Sequence, residues 1–130
     1  VDCTPEVRAQ LTAVLQKQAA SLMRYQNASG MWHTLIDDPS SYVESSATCG
    51  FGYGLLRGVR MGLLDVSPES VALKALPPIL DYINEQGVVQ QVSYGTPMGR
   101  ESRDFYKNIE IKPMPYGQAL AMLFLIECLA

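Results

Sequence analysis

The sequence predicts an all-α domain in which about four helices alternate between an outer and an inner layer. Helical segments with one apolar face alternate along the chain with segments that are apolar or glycine-rich on most faces. The links into the second kind of segment are long, at 27–44 and 84–115, whereas the link at 65–66 is short. We interpret residues 1–130, with 48% hydrophobic and 18% charged side chains, as a single domain.

The first helix is predicted from Pro5 to Arg24 and belongs to the outer layer. Thr4 is a good N-cap, and proline is favoured at the first helical position. Residues at 26–30 have turn chemistry and end the helix. The apolar side chains recur at steps of three and four, which places them on one face: Val7, Leu11, Val14, Leu15, Ala19, Leu22 and Met23.

The second helix is predicted from Ser45 to Leu64 and is interpreted as buried. Four glycines are spaced by four residues along it, at positions 50, 54, 58 and 62, and Gly52 lies between the first two. Each glycine costs about 1 kcal/mol relative to alanine in an exposed helix, so such a stripe requires a compensating contact. We expect another helix to approach closely along the stripe.

The third and fourth helices repeat the outer and inner pattern. The third is predicted to begin at Pro68 after the cap residue Ser67, with an interruption at the two prolines 77–78. It ends at 84–87, and residues 88–92 are compatible with a short strand. The fourth helix, from Tyr116 to Leu129, is apolar on nearly every face and is expected to be buried all round.

Both long links precede the amino ends of inner helices, which places these links on one face of the domain. The first link holds a segment at 31–36 that could be extended, followed by a turn at 37–41. The second contains a loop from 93 to 115, and a loop of this length is usually functional or disordered. Helix amino ends favour anions and loops carry function, so we expect a ligand site on this face.

Composition and charge argue against several classes of function. A net charge of −3 gives no reason to expect nucleic acid as a partner. The longest apolar run, at 119–126, is far shorter than the ~20 residues of a membrane span, and the polar residues 1–6 predict no secretion signal. Three cysteines without a CxxC pair and one histidine favour reduced thiols, a cytoplasmic location, and neither a metal nor a cofactor.

Motifs over nearly the whole chain are specific when they are taken together and in order. They are GMWH at 30–33, DDP at 37–39, SYVESSA at 41–47, LRGVRMGLLD at 56–65, GTPMG at 95–99, DFY at 104–106 and PYGQAL at 115–120. They resemble glycoside hydrolase family 105, the unsaturated rhamnogalacturonyl hydrolases, and the related family 88 of unsaturated glucuronyl hydrolases.

The resemblance implies roughly the last third of an (α/α)6 barrel, in which six helical hairpins form an inner and an outer ring. It implies removal of a 4,5-unsaturated galacturonic acid from a pectin-derived rhamnogalacturonan, so the expected ligand is an acidic oligosaccharide. In the family reaction an aspartic acid protonates the enol-ether double bond, water adds across it, and the sugar then opens and separates. The two-carboxylate geometry of ordinary glycosidases therefore does not apply.

Two functional motifs of the family are missing from this sequence. In the family, the catalytic aspartate and an Arg-Gly-x-Gly-Trp segment that grips the substrate precede the region represented here. The nearest dipeptide, Arg57-Gly58, lies in the second helix. We therefore expect the chain alone to be inactive, as a part of a hydrolase. The alternatives are a non-catalytic module that binds carbohydrate or associates with itself, and a helical scaffold without a ligand.

Several residues on the predicted site face are candidates for substrate binding. Trp32 could stack on a sugar or pack beneath the loop, and His33 could bond a sugar or a protein group. Arg100 could pair with a uronate carboxylate or belong to a solvated loop of mixed charge. The full set of candidates is Trp32, His33, Tyr42, Glu44, Ser46, Thr96, Arg100 and Tyr106.

Three carboxylates are weak candidates for a catalytic acid in this chain. Glu44 opens an inner helix, where it could act as an acid or, with Ser46, cap the helix. Asp37 and Asp38 are better explained as turn formers.

An open third of a barrel would expose two apolar flanks. We therefore expect this chain to pair with a further barrel segment or with another copy of itself, and to form a homo-oligomer if it stands alone.

Overall fold

The computed structural model describes residues 3–130 and is built from α-helices joined by irregular links. In chain order the elements are α1 (Pro5–Tyr25), α2 (Ser45–Arg60), α3 (Ser67–Lys74), α4 (Leu76–Asp81), a 3-10 helix (Arg103–Asn108) and α5 (Pro115–Leu129). Extended segments in this range meet only in isolated antiparallel bridges, at His33–Val43, Ile83–Val89 and Ser93–Ile111. The prediction of an all-α chain with short extended segments in its loops is confirmed.

Helix α1 spans the predicted residues to within one position, but much of its apolar face does not pack against another described element. The Thr4 hydroxyl accepts a hydrogen bond from the Val7 N–H, as expected of an N-cap. On its predicted apolar face, Ala19 is buried, whereas Leu11 and Val14 keep about half of their surface exposed, at 58% and 48%. Within residues 3–130 this outer helix therefore has a largely open apolar face.

Helices α2 and α5 run parallel and form the inner pair. Near their amino ends Gly50 faces Leu120, and near their carboxyl ends the Arg60 guanidinium donates to the Glu127 carbonyl at 2.9 Å. The Arg60 Nη1 also lies 2.5 Å from Glu127 Oε1, an ionic contact without hydrogen-bond alignment. A carboxylate that is 95% buried thus joins the two apolar helices at one end, which the hydrophobic pattern did not indicate.

The glycine stripe of α2 meets α5 only near its start, where Gly50 faces Leu120. A Cβ on Gly52 would lie 2.5 Å from the Phe124 ring, so the close approach occurs at a glycine outside the predicted stripe. A Cβ on Gly54 would meet nothing within 4 Å. Helix α2 also ends at Arg60 rather than at Leu64, because Gly62 takes a φ of +66° and turns the chain.

The prediction that α5 is buried all round is wrong for the part of the chain described. One face is buried, through Gly117, Ala121, Phe124 and Glu127. The opposite face is exposed, because no element between residues 3 and 130 packs against it. Its exposed apolar side chains are Met122, Leu123, Ile126 and Leu129.

The third predicted helix is divided at Ala75, two residues before the prolines. Ala75 is the C-cap of α3 and the N-cap of α4, and proline cannot continue the ladder of backbone hydrogen bonds from α3. Residues 88–92 do not form a strand, and their one β-bridge is the isolated bridge between Ile83 and Val89. No helix between residues 3 and 130 has the length and apolar character needed to cross a membrane.

Candidate ligand cavity at the amino ends of the inner helices

A cavity of about 600 Å³ opens where the two long links meet the amino ends of α2 and α5. This volume is in the usual range for small-molecule sites. The cavity lies on the face that the layering and the link lengths predict. Its lining residues are Thr34, Leu35, Glu44, Ser46, Ala47, Ser93, Gly95, Thr96, Tyr106, Tyr116 and Leu120.

Glu44 is the N-cap of α2 and is only 3% exposed. Its Oε2 accepts from the Ala47 N–H at 2.6 Å, and its Oε1 accepts from the Ser93 N–H at 3.1 Å. The Ser46 hydroxyl lies 2.8 and 3.0 Å from the two oxygens. Both oxygens are therefore used as acceptors that tie α2 to the segment at 93, which is the arrangement of a cap and cross-link rather than of a proton donor.

Ser93 connects the wall formed by α2 to the wall formed by α5. Its hydroxyl lies 2.9 Å from the Tyr42 hydroxyl, and its carbonyl accepts from the Tyr116 hydroxyl. The same Tyr116 oxygen accepts from the Gly95 N–H at 2.9 Å. The two tyrosine hydroxyls thus fix the backbone at 93–95, which lines the cavity between the inner helices.

The 3-10 helix forms the outer wall of the cavity and is tied to the first long link by charge. The Lys107 ammonium lies 2.8 Å from Asp38, 2.9 Å from Asp104 and 2.9 Å from the Ser40 hydroxyl. Hydrogen bonding from Lys107 and Ser40 holds the pKa of the Asp38 carboxyl well below its usual range, and Asp38 and Asp104 raise the pKa of Lys107. Tyr106, beside this lysine, faces the cavity, and its hydroxyl accepts from the Gly99 N–H at 3.2 Å.

Asp37 and Asp38 form ion pairs that connect the first long link to the second long loop. Asp37 pairs with Arg103, and Asp38 pairs with Lys107, so both carboxylates face cations of the second long loop. Neither carboxylate is among the groups that line the cavity. The turn-forming role that the sequence favours is joined by a cross-link that the sequence did not indicate, and the catalytic role stays a prediction without a supporting contact.

Trp32 is buried and His33 is partly buried within the first link. The Trp32 ring has no exposed surface on which a sugar could stack, and its Nε1 donates to the Leu22 carbonyl at 2.9 Å. The His33 Nε2 accepts from the Asn27 amide at 2.8 Å, and its Nδ1 donates to the Ser41 carbonyl at 2.5 Å. Trp32 thus takes the second of its two predicted roles, packing beneath the loop, whereas a contact of the half-buried His33 with a sugar stays a prediction.

The other binding candidates divide between the cavity and the solvent. Ser46, Thr96 and Tyr106 line the cavity, and Tyr42 contributes indirectly through its bond to Ser93. Arg100 is exposed and is not a lining residue. No arginine or lysine is among the lining residues, so the predicted pairing of Arg100 with a uronate carboxylate has no counterpart here.

Sequence reasoning missed three polar contributors to the cavity. Thr34 follows the buried Trp32-His33 pair, Ser93 follows the apolar segment at 88–92, and Tyr116 lies in the first turn of α5. Each is next to the amino end of an inner helix or in the link before it. This position in the sequence is the signal from which these three residues could have been predicted. Across residues 3–130 no three histidine, cysteine or carboxylate side chains gather in a way that could hold a metal ion.

Comparison with known proteins assigns the chain to a family. Its whole length, residues 1–130, matches the model of Glycosyl Hydrolase Family 88. The unsaturated rhamnogalacturonyl hydrolase YesR of Bacillus subtilis is 37% identical over 116 residues, which are 88% of this chain and 32% of YesR. The chain thus spans about a third of the length of this relative.

Solved structures give the same result for the fold. A possible member of glycoside hydrolase family 105 from Salmonella enterica is 46% identical, with a TM-score of 0.93 over 99% of this chain and 34% of that one. A family 88 hydrolase from Bacteroides vulgatus, 21% identical, superposes with a TM-score of 0.79 over 98% of this chain and 37% of that one. The alternating layers described above are therefore a part of an (α/α)6 barrel. The chain belongs to Glycosyl Hydrolase Family 88.

Proposed function

We propose that this chain supplies one part of the substrate-binding wall of a glycoside hydrolase. The reaction would remove a 4,5-unsaturated galacturonic acid from rhamnogalacturonan oligosaccharides derived from pectin. The observation that carries the proposal is the hydroxyl-lined cavity at the amino ends of α2 and α5, in a chain of this family. The name of the relative YesR, an unsaturated rhamnogalacturonyl hydrolase, supports the substrate class.

The composition of the cavity fits the uncharged part of a sugar. The hydroxyl groups of Thr96 and Tyr106 can donate to sugar hydroxyls, whereas the Ser46 hydroxyl, which donates to Glu44, can only accept. Leu120 offers an apolar surface to a ring face. Among residues 3–130, Glu44 is the only carboxylate that lines the cavity, and no lysine or arginine side chain lines it there. A uronate carboxylate would therefore be bound by groups outside this wall.

The three carboxylates that are candidates for the acid all have protein partners in the part of the chain that the structure describes. Glu44 is committed to its cap, and Asp37 and Asp38 are paired with Arg103 and Lys107. The aspartate and the Arg-Gly-x-Gly-Trp segment of the resembled family do not occur in this sequence. We therefore propose that the chain alone does not hydrolyse the substrate and that the proton donor belongs to another part of the complete enzyme.

The test is to add the purified chain to an unsaturated rhamnogalacturonan disaccharide and follow both the ultraviolet absorbance and the heat of binding. We expect constant absorbance together with measurable binding. Thr96→Val should weaken binding about three- to tenfold, because one hydrogen-bonding hydroxyl is lost. Thr12→Val, on α1 and outside the cavity, is the matched control and should leave the affinity unchanged.

Two results would contradict the proposal. A fall in absorbance caused by the chain itself would mean that it contains a working proton donor. A folded chain that binds no oligosaccharide would remove the role of the cavity and favour the alternative, a self-associating helical module.

The exposed apolar faces of α1 and α5 support a second proposal, that another polypeptide covers them. Leu11 and Val14 on α1, and Ile126 on α5, keep roughly half of their surface exposed, which is unusual for a stable monomer. The occupant that we propose is the remaining part of the barrel, since the chain spans only 34% of a structure that it matches with a TM-score of 0.93. A second copy of the chain is the alternative occupant.

For the isolated chain, size-exclusion chromatography with light scattering should show species heavier than the 14.3 kDa monomer. Leu11→Lys combined with Ile126→Lys should shift the population toward the monomer, because charged side chains oppose burial of the two faces. Met98→Lys, at an exposed apolar residue in the second long loop, is the control and should not change the mass. A well-folded monomer of the unaltered chain would contradict the proposed exposed interfaces.

We propose a cytoplasmic location on the basis of the cysteines. Cys3, Cys49 and Cys128 are free thiols, which is typical of a reducing compartment. Burial raises the pKa of Cys49 to about 12, so this thiol is a packing group rather than a reactive one.

A further inference from the structure

Gln91 has an unusual backbone conformation beside the cavity. Its φ is +58°, and among residues 3–130 it is the one residue other than glycine with a positive φ. A side chain in this left-handed region costs free energy that glycine would avoid. A contact that the glutamine side chain makes, and that glycine could not make, would offset this cost.

Gln91 contacts the backbone on both sides of Glu44. Its carbonyl accepts from the Ser45 N–H at 2.9 Å, and its side-chain Nε2 donates to the Val43 carbonyl at 3.0 Å. Two residues later, the Ser93 N–H donates to the Glu44 carboxylate at 3.1 Å. One short segment thus holds Glu44 by the residue before it, the residue after it, and its own side chain.

The first of these contacts depends on the backbone and the second on the glutamine side chain. Any residue at position 91 could accept the hydrogen bond from Ser45, whereas only a side chain with a donor of suitable length reaches the Val43 carbonyl. The neighbouring Val92 is buried and packs against Gly117, where an added Cβ would lie 2.6 Å from the valine. The segment is therefore fixed against α5 while it holds the start of α2.

We propose that Gln91 is a positioning residue of the ligand cavity, acting through Glu44. Its strained turn and its amide hold the backbone at 43–45 so that the Glu44 carboxylate meets the N–H of Ser93 and the first turn of α2. The cavity wall between α2 and the segment at 93 depends on this alignment. The effect on ligand affinity rests on the function proposed above, whereas the effect on the Glu44 contacts does not.

The experiment compares Gln91→Gly and Gln91→Glu with the unaltered chain. Gln91→Gly removes the side-chain donor and also relieves the backbone strain, so the thermal midpoint should stay equal or rise. Gln91→Glu keeps the length of the side chain but replaces the donor with an acceptor. Gln86→Gly, in the exposed turn at 84–88, serves as the control for a distant glutamine.

Two measurements follow for each variant: amide hydrogen exchange at Ala47 and Ser93, and affinity for the unsaturated disaccharide. In Gln91→Gly we expect exchange at these two amides to become about three- to tenfold faster, from loss of one hydrogen bond, with an unreduced thermal midpoint. The affinity should fall by a similar factor, and Gln91→Glu should show the same two changes.

The exchange measurement decides the proposal independently of the ligand. If the unaltered chain binds no disaccharide, the proposed function fails, but faster exchange at Ala47 and Ser93 in Gln91→Gly still supports the positioning role. If exchange at both amides and the affinity are unchanged in Gln91→Gly, Gln91 is only a turn residue and the proposal is overturned.

Discussion

Gly30→Ala is expected to lower the free energy of unfolding far more than an alanine substitution at an open glycine. Gly30 is buried and has a φ of +97°, which side chains rarely adopt. A Cβ there would lie 2.2 Å from the carbonyl oxygen of Lys74 and 2.8 Å from its carbonyl carbon. These are backbone atoms at the end of α3, so the clash cannot be relieved by a rotamer change. We expect a loss of about 3 kcal/mol or more in the free energy of unfolding.

Gly87→Ala is the matched control for this substitution. Gly87 has a similar φ of +77°, but a Cβ there would meet nothing within 4 Å. It should lose only the cost of the left-handed backbone, about 1–2 kcal/mol. Urea denaturation of both variants at one protein concentration measures the difference. Equal losses would mean that the contact between the first long link and α3 is not as close as the structure has it.

The sequence predicts the helices well because their signals are local. The Thr4 cap, the proline that follows it and the three-to-four periodicity locate α1 to within one residue at its end. Long-range contacts are not encoded in this way. The periodicity of four along α2 points to Gly54, yet the closer approach to α5 is at Gly52, because the crossing of the two helices decides which side chains meet.

The site shows the same division between local and long-range information. The position of the cavity follows from link lengths and helix amino ends, and these are visible in the sequence. The roles of its residues depend on partners that are remote in the chain, such as Ser93 for Glu44 and Lys107 for Asp38. The position of Trp32 on a loop is compatible with stacking on a sugar and with packing beneath the loop, and its burial in the core decides for the second.

Glu44→Ala is expected to weaken both the fold and the cavity. It would remove the hydrogen-bond acceptor of the Ala47 and Ser93 N–H groups, and the Ser93 amide is buried. Loss of the cap and of a charge-assisted cross-link should cost about 2–5 kcal/mol in the free energy of unfolding. Thr4→Ala is the control, because Thr4 is also an N-cap but is exposed and makes one bond of 3.4 Å. It should lose about 0.5–1 kcal/mol.

Glu44→Gln separates a cap from a catalytic acid. The amide keeps the size of the side chain, but it turns one acceptor oxygen into a donor, which then faces either the Ala47 or the Ser93 N–H. If Glu44 acts as a cap and cross-link, Glu44→Gln should lower the free energy of unfolding by about 1–3 kcal/mol, and the affinity for the oligosaccharide should fall in the same variant. An acid that served only the reaction would keep its stability and affinity in Glu44→Gln and lose turnover alone. Denaturation and calorimetry on this one variant distinguish the two roles, and the contacts of Glu44 favour the first.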